Sequence, residues 1–92
     1  MPHKVLIENI KFLKERCGLI AKRFCLKCNV PYRTYTGWID GLSEPSLDHM
    51  ENISLKCKVS IDWLCRVDLS LKTRKEIMNN FYEIDKKLTN GK

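Results

Sequence analysis

Five basic side chains, Arg16, Lys22, Arg23, Lys27 and Arg33, fall between residues 16 and 39, with no Asp or Glu in that window. The chain has 17 Lys and Arg against 11 Asp and Glu, so this one window holds most of the net charge of +6. Clustered cations neutralise phosphates whatever sequence carries them, and the chemistry they point to is binding of a polyanion. The five cysteines offer a second chemistry. Cys25 and Cys28 form a C-x-x-C, with Cys57 and Cys65 as conceivable partners for zinc or redox work. Against this, three residues along a helix put two thiols on one inward face, and Cys57 and Cys65 are spaced too widely for a matching clamp. An odd number of cysteines also excludes complete pairing within one chain, so they read as free, buried thiols, with no metal and no cofactor assigned. His3 and His49 have no Cys or carboxylate partner in sequence and read as solvated. The sequence contains no Gly-rich phosphate loop, no H-E-x-x-H and no nucleophile elbow, and its acids follow no paired pattern, so no catalytic residue is assigned and an enzyme is not expected.

The elements that must carry these residues are helical, because apolar positions recur with helical spacing almost throughout and no alternating run argues for a strand. Leu6, Ile10, Leu13 and Cys17 make one stripe of a first helix, which Gly18 stops in a left-handed turn. Ala21 to Cys28 predicts a second, short helix with Phe24, Cys25 and Cys28 inward and Lys22, Arg23 and Lys27 outward. Asn29 tolerates the left-handed conformation, and Pro31 suits a first helical position. A third helix follows to Ile39 or Asp40, with Tyr35 and Trp38 apolar, and Gly41 ends it. Ser46 caps a fourth helix carrying Leu47, Met50, Ile53 and Cys57; Ser60 caps a fifth carrying Ile61, Leu64 and Cys65. Trp38 and Trp63 fall on apolar faces and belong to the core.

From Ser70 onward Ile77, Phe81, Ile84 and Leu88 recur at four, three and four residues. They predict a sixth helix with a single apolar seam, read here as a dimerisation element ahead of packing in cis. At 92 residues the chain suits one core plus an appended helix, divided as residues 1–67 and 68–92. No apolar run is long enough to span a membrane, and the charged start lacks the apolar centre of a signal peptide, so a cytoplasmic location is expected.

Taken in order, Ile10 to Leu13, Gly18-Leu19, Asn29 to Trp38, Gly41, Pro45 to Asp48 and Val59 to Leu64 resemble the lambda-repressor-like (Cro/XRE) helix-turn-helix family over roughly residues 6 to 66. The resemblance implies an all-α fold: a five-helix domain whose second and third helices form the motif, with an additional C-terminal amphipathic helix. It also implies that the third helix, about residues 31–40, enters the major groove of double-stranded DNA. Carried over by position, the base-reading sites fall on Tyr32, Arg33 and Thr34, with Thr36 and Gly37 further along, while Lys22, Arg23 and Lys27 contact the backbone. Arg33 is the leading reader, since its planar fork matches guanine O6 and N7. The chain departs from the family at Ile20 and Ala21, where a polar cap and a phosphate-binding Gln are usual, and at Lys14 and Ile39, which replace a common ion pair. Gly37 brings no side chain to a base.

The function so implied is a sequence-specific transcriptional regulator of repressor type, of bacterial or phage kind, acting as a homodimer. The alternative expectation is a protein–protein interaction module, such as an antitoxin or inhibitor built on the same fold, whose C-terminal helix docks a protein partner.

Overall fold

The computed structural model describes residues 4–90, with side chains through residue 83; His3 and the side chains of Ile84 and Leu88 lie outside the described residues. Among the described residues the chain forms six α-helices, one 3-10 turn and no strand, the all-α fold that the apolar spacing predicts. In order these are α1 (Lys4–Cys17), α2 (Ala21–Lys27), α3 (Tyr32–Ile39), α4 (Leu47–Cys57), α5 (Ile61–Arg66), the 3-10 turn (Leu69–Leu71) and α6 (Arg74–Asn90). Leu6, Ile10 and Leu13 of α1 lie at the centre of one core. Phe24, Cys28, Tyr35, Trp38, Ile53, Leu64, Leu69 and Ile77 converge on them from the other elements.

The local punctuation follows the residue types. Gly18, Asn29 and Gly41 all take positive φ, at 68°, 55° and 76°. Ser46 and Ser60 cap α4 and α5, each hydroxyl accepting the amide three residues on. Pro31 differs by one position: its extended ψ of 136° makes it the residue before α3 instead of the first residue within it. The end of α4 also departs from the simplest pattern, because Lys58 takes the left-handed conformation at φ 56° with no glycine to ease it.

That turn exposes an internal repeat. Residues 24–30 read Phe-Cys-Leu-Lys-Cys-Asn-Val and residues 53–59 read Ile-Ser-Leu-Lys-Cys-Lys-Val. In both, the first, second, fifth and seventh positions are buried, and the third and fourth are exposed. Both turns close the same way: Val30 N–H donates to Cys25 O at 2.9 Å and Val59 N–H to Ser54 O at 3.1 Å. Thus the junctions between α2 and α3 and between α4 and α5 are built on one repeated seven-residue segment.

Two expectations about the C-terminal segment are corrected. The sixth helix starts at Arg74 and not at Ser70, because Asp68 Oδ1 accepts from Ser70 N at 3.1 Å and winds Leu69–Leu71 into the 3-10 turn. A reciprocal box then opens α6, with Thr73 N donating to Glu76 Oε1 at 3.0 Å and Glu76 N to Thr73 Oγ1 at 3.1 Å. The backbone amide of Thr73, and then its side chain, hold the Glu76 carboxyl below the usual carboxylate range. Its contribution to stability is therefore full above the unfolded value and fades as pH falls through the lowered one. The second correction concerns the dimer seam. Ile77 is wholly buried in the core of its own chain, so it is not available to a mate. Asn80 Oδ1 accepts from Ser60 Oγ at 2.5 Å, and Lys58 Nζ stands 5.7 Å from the centre of the half-buried Phe81 ring. The near half of α6 packs in cis, with Leu69 and Ile77 in the same buried cluster as Leu6, Ile10 and Leu13.

One polar side chain lies inside this core. Asn9, 2% exposed, donates through Nδ2 to Leu64 O and Val67 O, both at 2.7 Å, and accepts at Oδ1 from Leu69 N at 3.0 Å. It therefore ties α1 to the end of α5 and to the start of the 3-10 turn.

Replacing Asn9→Leu strands two carbonyls and one amide, and urea unfolding should show a loss on the order of 3 kcal/mol. Ile77→Ala should cost about 3 kcal/mol through the cavity it leaves, with a midpoint that does not move with protein concentration. A concentration-dependent midpoint would return Ile77 to an intermolecular contact.

Candidate nucleic-acid interface

The helical period fixes which way the basic residues of α2 point. Phe24 and Cys25 are buried, so Lys22, Arg23 and Lys27 on the opposite side are exposed. At the start of α3, Tyr32 and Arg33 are exposed, while Thr34, Thr36 and Gly37 are half-buried. Among the described residues none of Lys22, Arg23, Lys27 and Arg33 forms an ion pair; the pairs present are Lys11–Glu8, Lys14–Glu15 and Arg66–Asp62.

The two helices meet at their surface through Lys22, whose Nζ lies 5.5 Å from the centre of the Tyr32 ring. Tyr32 stacks on Tyr35 at 6.5 Å, and Tyr35 meets both Phe24 and Trp38 edge to face. This aromatic run anchors the exposed ring in the core, so the start of α3 is held rigidly beside Lys22. Lys27 points elsewhere: its Nζ reaches Cys17 Sγ at 3.7 Å, by the end of α1. The structure thus groups Lys22 with Tyr32 and sets Lys27 at the far end of α2.

Several residues have roles that charge counting and spacing did not reveal. Arg16 belongs to the acid-free window but turns inward. Its Nη2 donates to Cys57 O at 3.3 Å, while Nε and Nη1 are buried without a partner. A cation there complements the carbonyl end of α4. Thr36 Oγ1 donates to Arg33 O at 2.8 Å, which commits its proton inside α3 and leaves only acceptor capacity outward. Gly37 faces Ser43, whose Oγ would lie 2.7 Å from a Cβ at residue 37; no spacing rule in the sequence connects these two. His49, read as solvated, instead packs its ring 5.6 Å from Trp38, with Nδ1 3.1 Å from Ser46 Oγ.

The thiols are structural neighbours of this face. Cys28 and Cys57 occupy equivalent places in the two repeats and interact: that contact holds Cys57 below the ordinary thiol value and, together with burial, pushes Cys28 above it. Cys65 Sγ contacts Met50 Sδ at 3.6 Å. No group of three or more His, Cys, Asp or Glu side chains among the described residues is arranged to hold a metal ion. No helix is long and apolar enough to cross a membrane among those residues either.

Comparison with known protein families, with curated proteins and with solved structures finds no match for this chain.

Position, not charge alone, should govern polyanion binding. Arg16→Gln and Arg23→Gln remove the same charge, yet on a heparin column Arg23→Gln should elute at lower salt while Arg16→Gln elutes near the wild type. Arg16→Gln should instead lower unfolding stability by about 1 kcal/mol.

Proposed function

We propose that this protein is a sequence-specific transcriptional regulator of repressor type that binds double-stranded DNA, with α3 in the major groove. The observation that carries this reading is the exposed basic surface shared by α2 and α3, whose cations have no carboxylate partner among the described residues. Bases without a carboxylate partner among the described residues are available to phosphates, and a helix of eight residues has the length of a groove reader.

In this reading the roles divide by chemistry. Lys22 and Arg23 contact phosphates and set the register, which supplies affinity without sequence preference. Tyr32, fixed by Lys22 and Tyr35, stacks or bonds at the backbone. Arg33, exposed at the start of α3, donates two hydrogen bonds to a guanine edge, and Thr34 lies beside it for a base or a phosphate. Thr36 takes part only as an acceptor. A homodimer on a palindromic operator would set its two α3 helices about 34 Å apart and exclude polymerase. Ile77 is withdrawn into the core of its own chain and takes no part in such a dimer.

A second reading, a protein-docking module of antitoxin or inhibitor kind, is favoured by one observation: Ile20 and Leu26 on the basic side are 67% and 75% exposed. Apolar groups between cations suit an acidic protein surface.

A titration of duplex DNA at two salt concentrations separates the two. The regulator should lose affinity steeply as salt rises. Lys22→Ala should weaken all sequences alike, and Arg33→Ala should erase the preference for the selected sequence, a loss of about 1 to 3 kcal/mol of discrimination. A preference that survives Arg33→Ala removes its role as reader; duplex binding that is absent or indifferent to salt removes the regulator.

A further inference from the structure

Gly37 lies four residues after Arg33, so the two share one face of α3. A side chain would be expected there on any helix that reads a partner along its length, and none is present. The space is nevertheless filled. A Cβ at residue 37 would stand 2.7 Å from Ser43 Oγ, closer than side chains approach, so the hydroxyl lies against the place where a side chain at residue 37 would begin.

The loop after α3 is built to hold it there. Gly41 takes a left-handed turn at φ 76°, and the chain folds back so that Leu42 N and Ser43 N both donate to Gly37 O, at 2.8 and 3.3 Å. Two backbone bonds to the same carbonyl fix Ser43 over the helix. Ser43 is exposed, and its hydroxyl has no hydrogen-bond partner among the described residues. The result is a free donor and acceptor in line with the Arg33 side chain and one turn further along.

We propose that Ser43 supplies, from the loop after α3, the polar contact to duplex DNA that α3 lacks at Gly37. The inference rests on the DNA reading of the α3 face. A serine hydroxyl can donate to, or accept from, a base edge, and can donate to a phosphate oxygen. Gly37 is then part of the same device, because any side chain there evicts the hydroxyl. The clash is with a rotatable oxygen and not with backbone, so Gly37→Ala turns Ser43 aside and leaves the fold intact.

The test compares wild type, Ser43→Ala, Gly37→Ala and the double variant, each titrated on a duplex selected by the wild type from a random pool and on a scrambled duplex. Melting temperatures are measured alongside. Each single variant should bind the selected duplex about fivefold more weakly. The double should be no weaker than either single, because both substitutions remove one contact. Ser43→Ala should melt with the wild type. A loss confined to the selected duplex identifies a base edge; an equal loss on both identifies a phosphate. Wild-type binding with Ser43→Ala unaffected, or losses that multiply in the double variant, overturns this proposal and leaves the DNA reading standing. A wild type that binds neither duplex overturns both.

Discussion

Helix α5 is six residues long and ends at Val67 in extended backbone, without a left-handed cap. Its closing carbonyls must find donors outside the helix. Asn9 provides them from 55 residues earlier, and its oxygen takes the amide that opens the 3-10 turn. Four elements are placed by this one carboxamide: α1, which carries it, α5, the 3-10 turn, and α6, which follows at Arg74. The apolar face of α1 beside it, Leu6, Ile10 and Leu13, is also the surface on which Phe24 and Tyr35 rest. A fully satisfied buried amide specifies a single arrangement in a way that apolar contact does not. Asn9 therefore fixes how α5 and the 3-10 turn sit on α1.

How far this could be read in advance depended on how local each cause was. Gly18, Asn29, Gly41, Ser46 and Ser60 act on their own turns, and the structure has all five where the residue types place them. The outward set of α2 was legible because Lys22, Arg23 and Lys27 lie opposite a buried stripe. Lys58 was not, since lysine carries no turn signal. Ser54 closes that turn, its carbonyl accepting from Val59 N and its hydroxyl donating to Val59 O at 2.6 Å. Arg16 shows the limit of charge counting: the sequence records a cation but not that its guanidinium turns in to Cys57 O at the end of α4. Ile77 shows the limit of periodicity, which finds an apolar seam without saying what covers it. Ser43 and Gly37 meet only through a loop fold that no spacing encodes.

The repeat explains why the cysteines sit where they do. Cys28 and Cys57 are the same position in each copy, and each closes its first helix against the core at 5% exposure or less. A small apolar side chain suits a buried helix end of this kind. The C-x-x-C made by Cys25 and Cys28 is thus half of a packing motif whose other half reads Ser54 and Cys57.

The same repeat serves as an internal control on the basic surface. The two turns close alike, although the helices leading into them differ, α2 having seven residues and α4 eleven. Lys22 and Arg23 of the first copy correspond to Glu51 and Asn52 of the second, and Arg33 corresponds to Asp62. The second copy behaves as a stability-driven unit should: Ser46 and Ser60 cap its helices, with Asp48 and Asp62 in their first turns. The first copy has neither feature. Ile20 and Pro31 make no side-chain cap, and no acid occurs in the first turn of α2 or α3. Each missing cap costs roughly 1 kcal/mol, a loss offset by the burial of Phe24, Tyr35 and Trp38 beneath. The two helices that carry these cations thus have neither a side-chain cap nor an acid in the first turn. In the proposed DNA-binding function the absence of acids there has a physical purpose, since a carboxylate beside the cations would repel a phosphate.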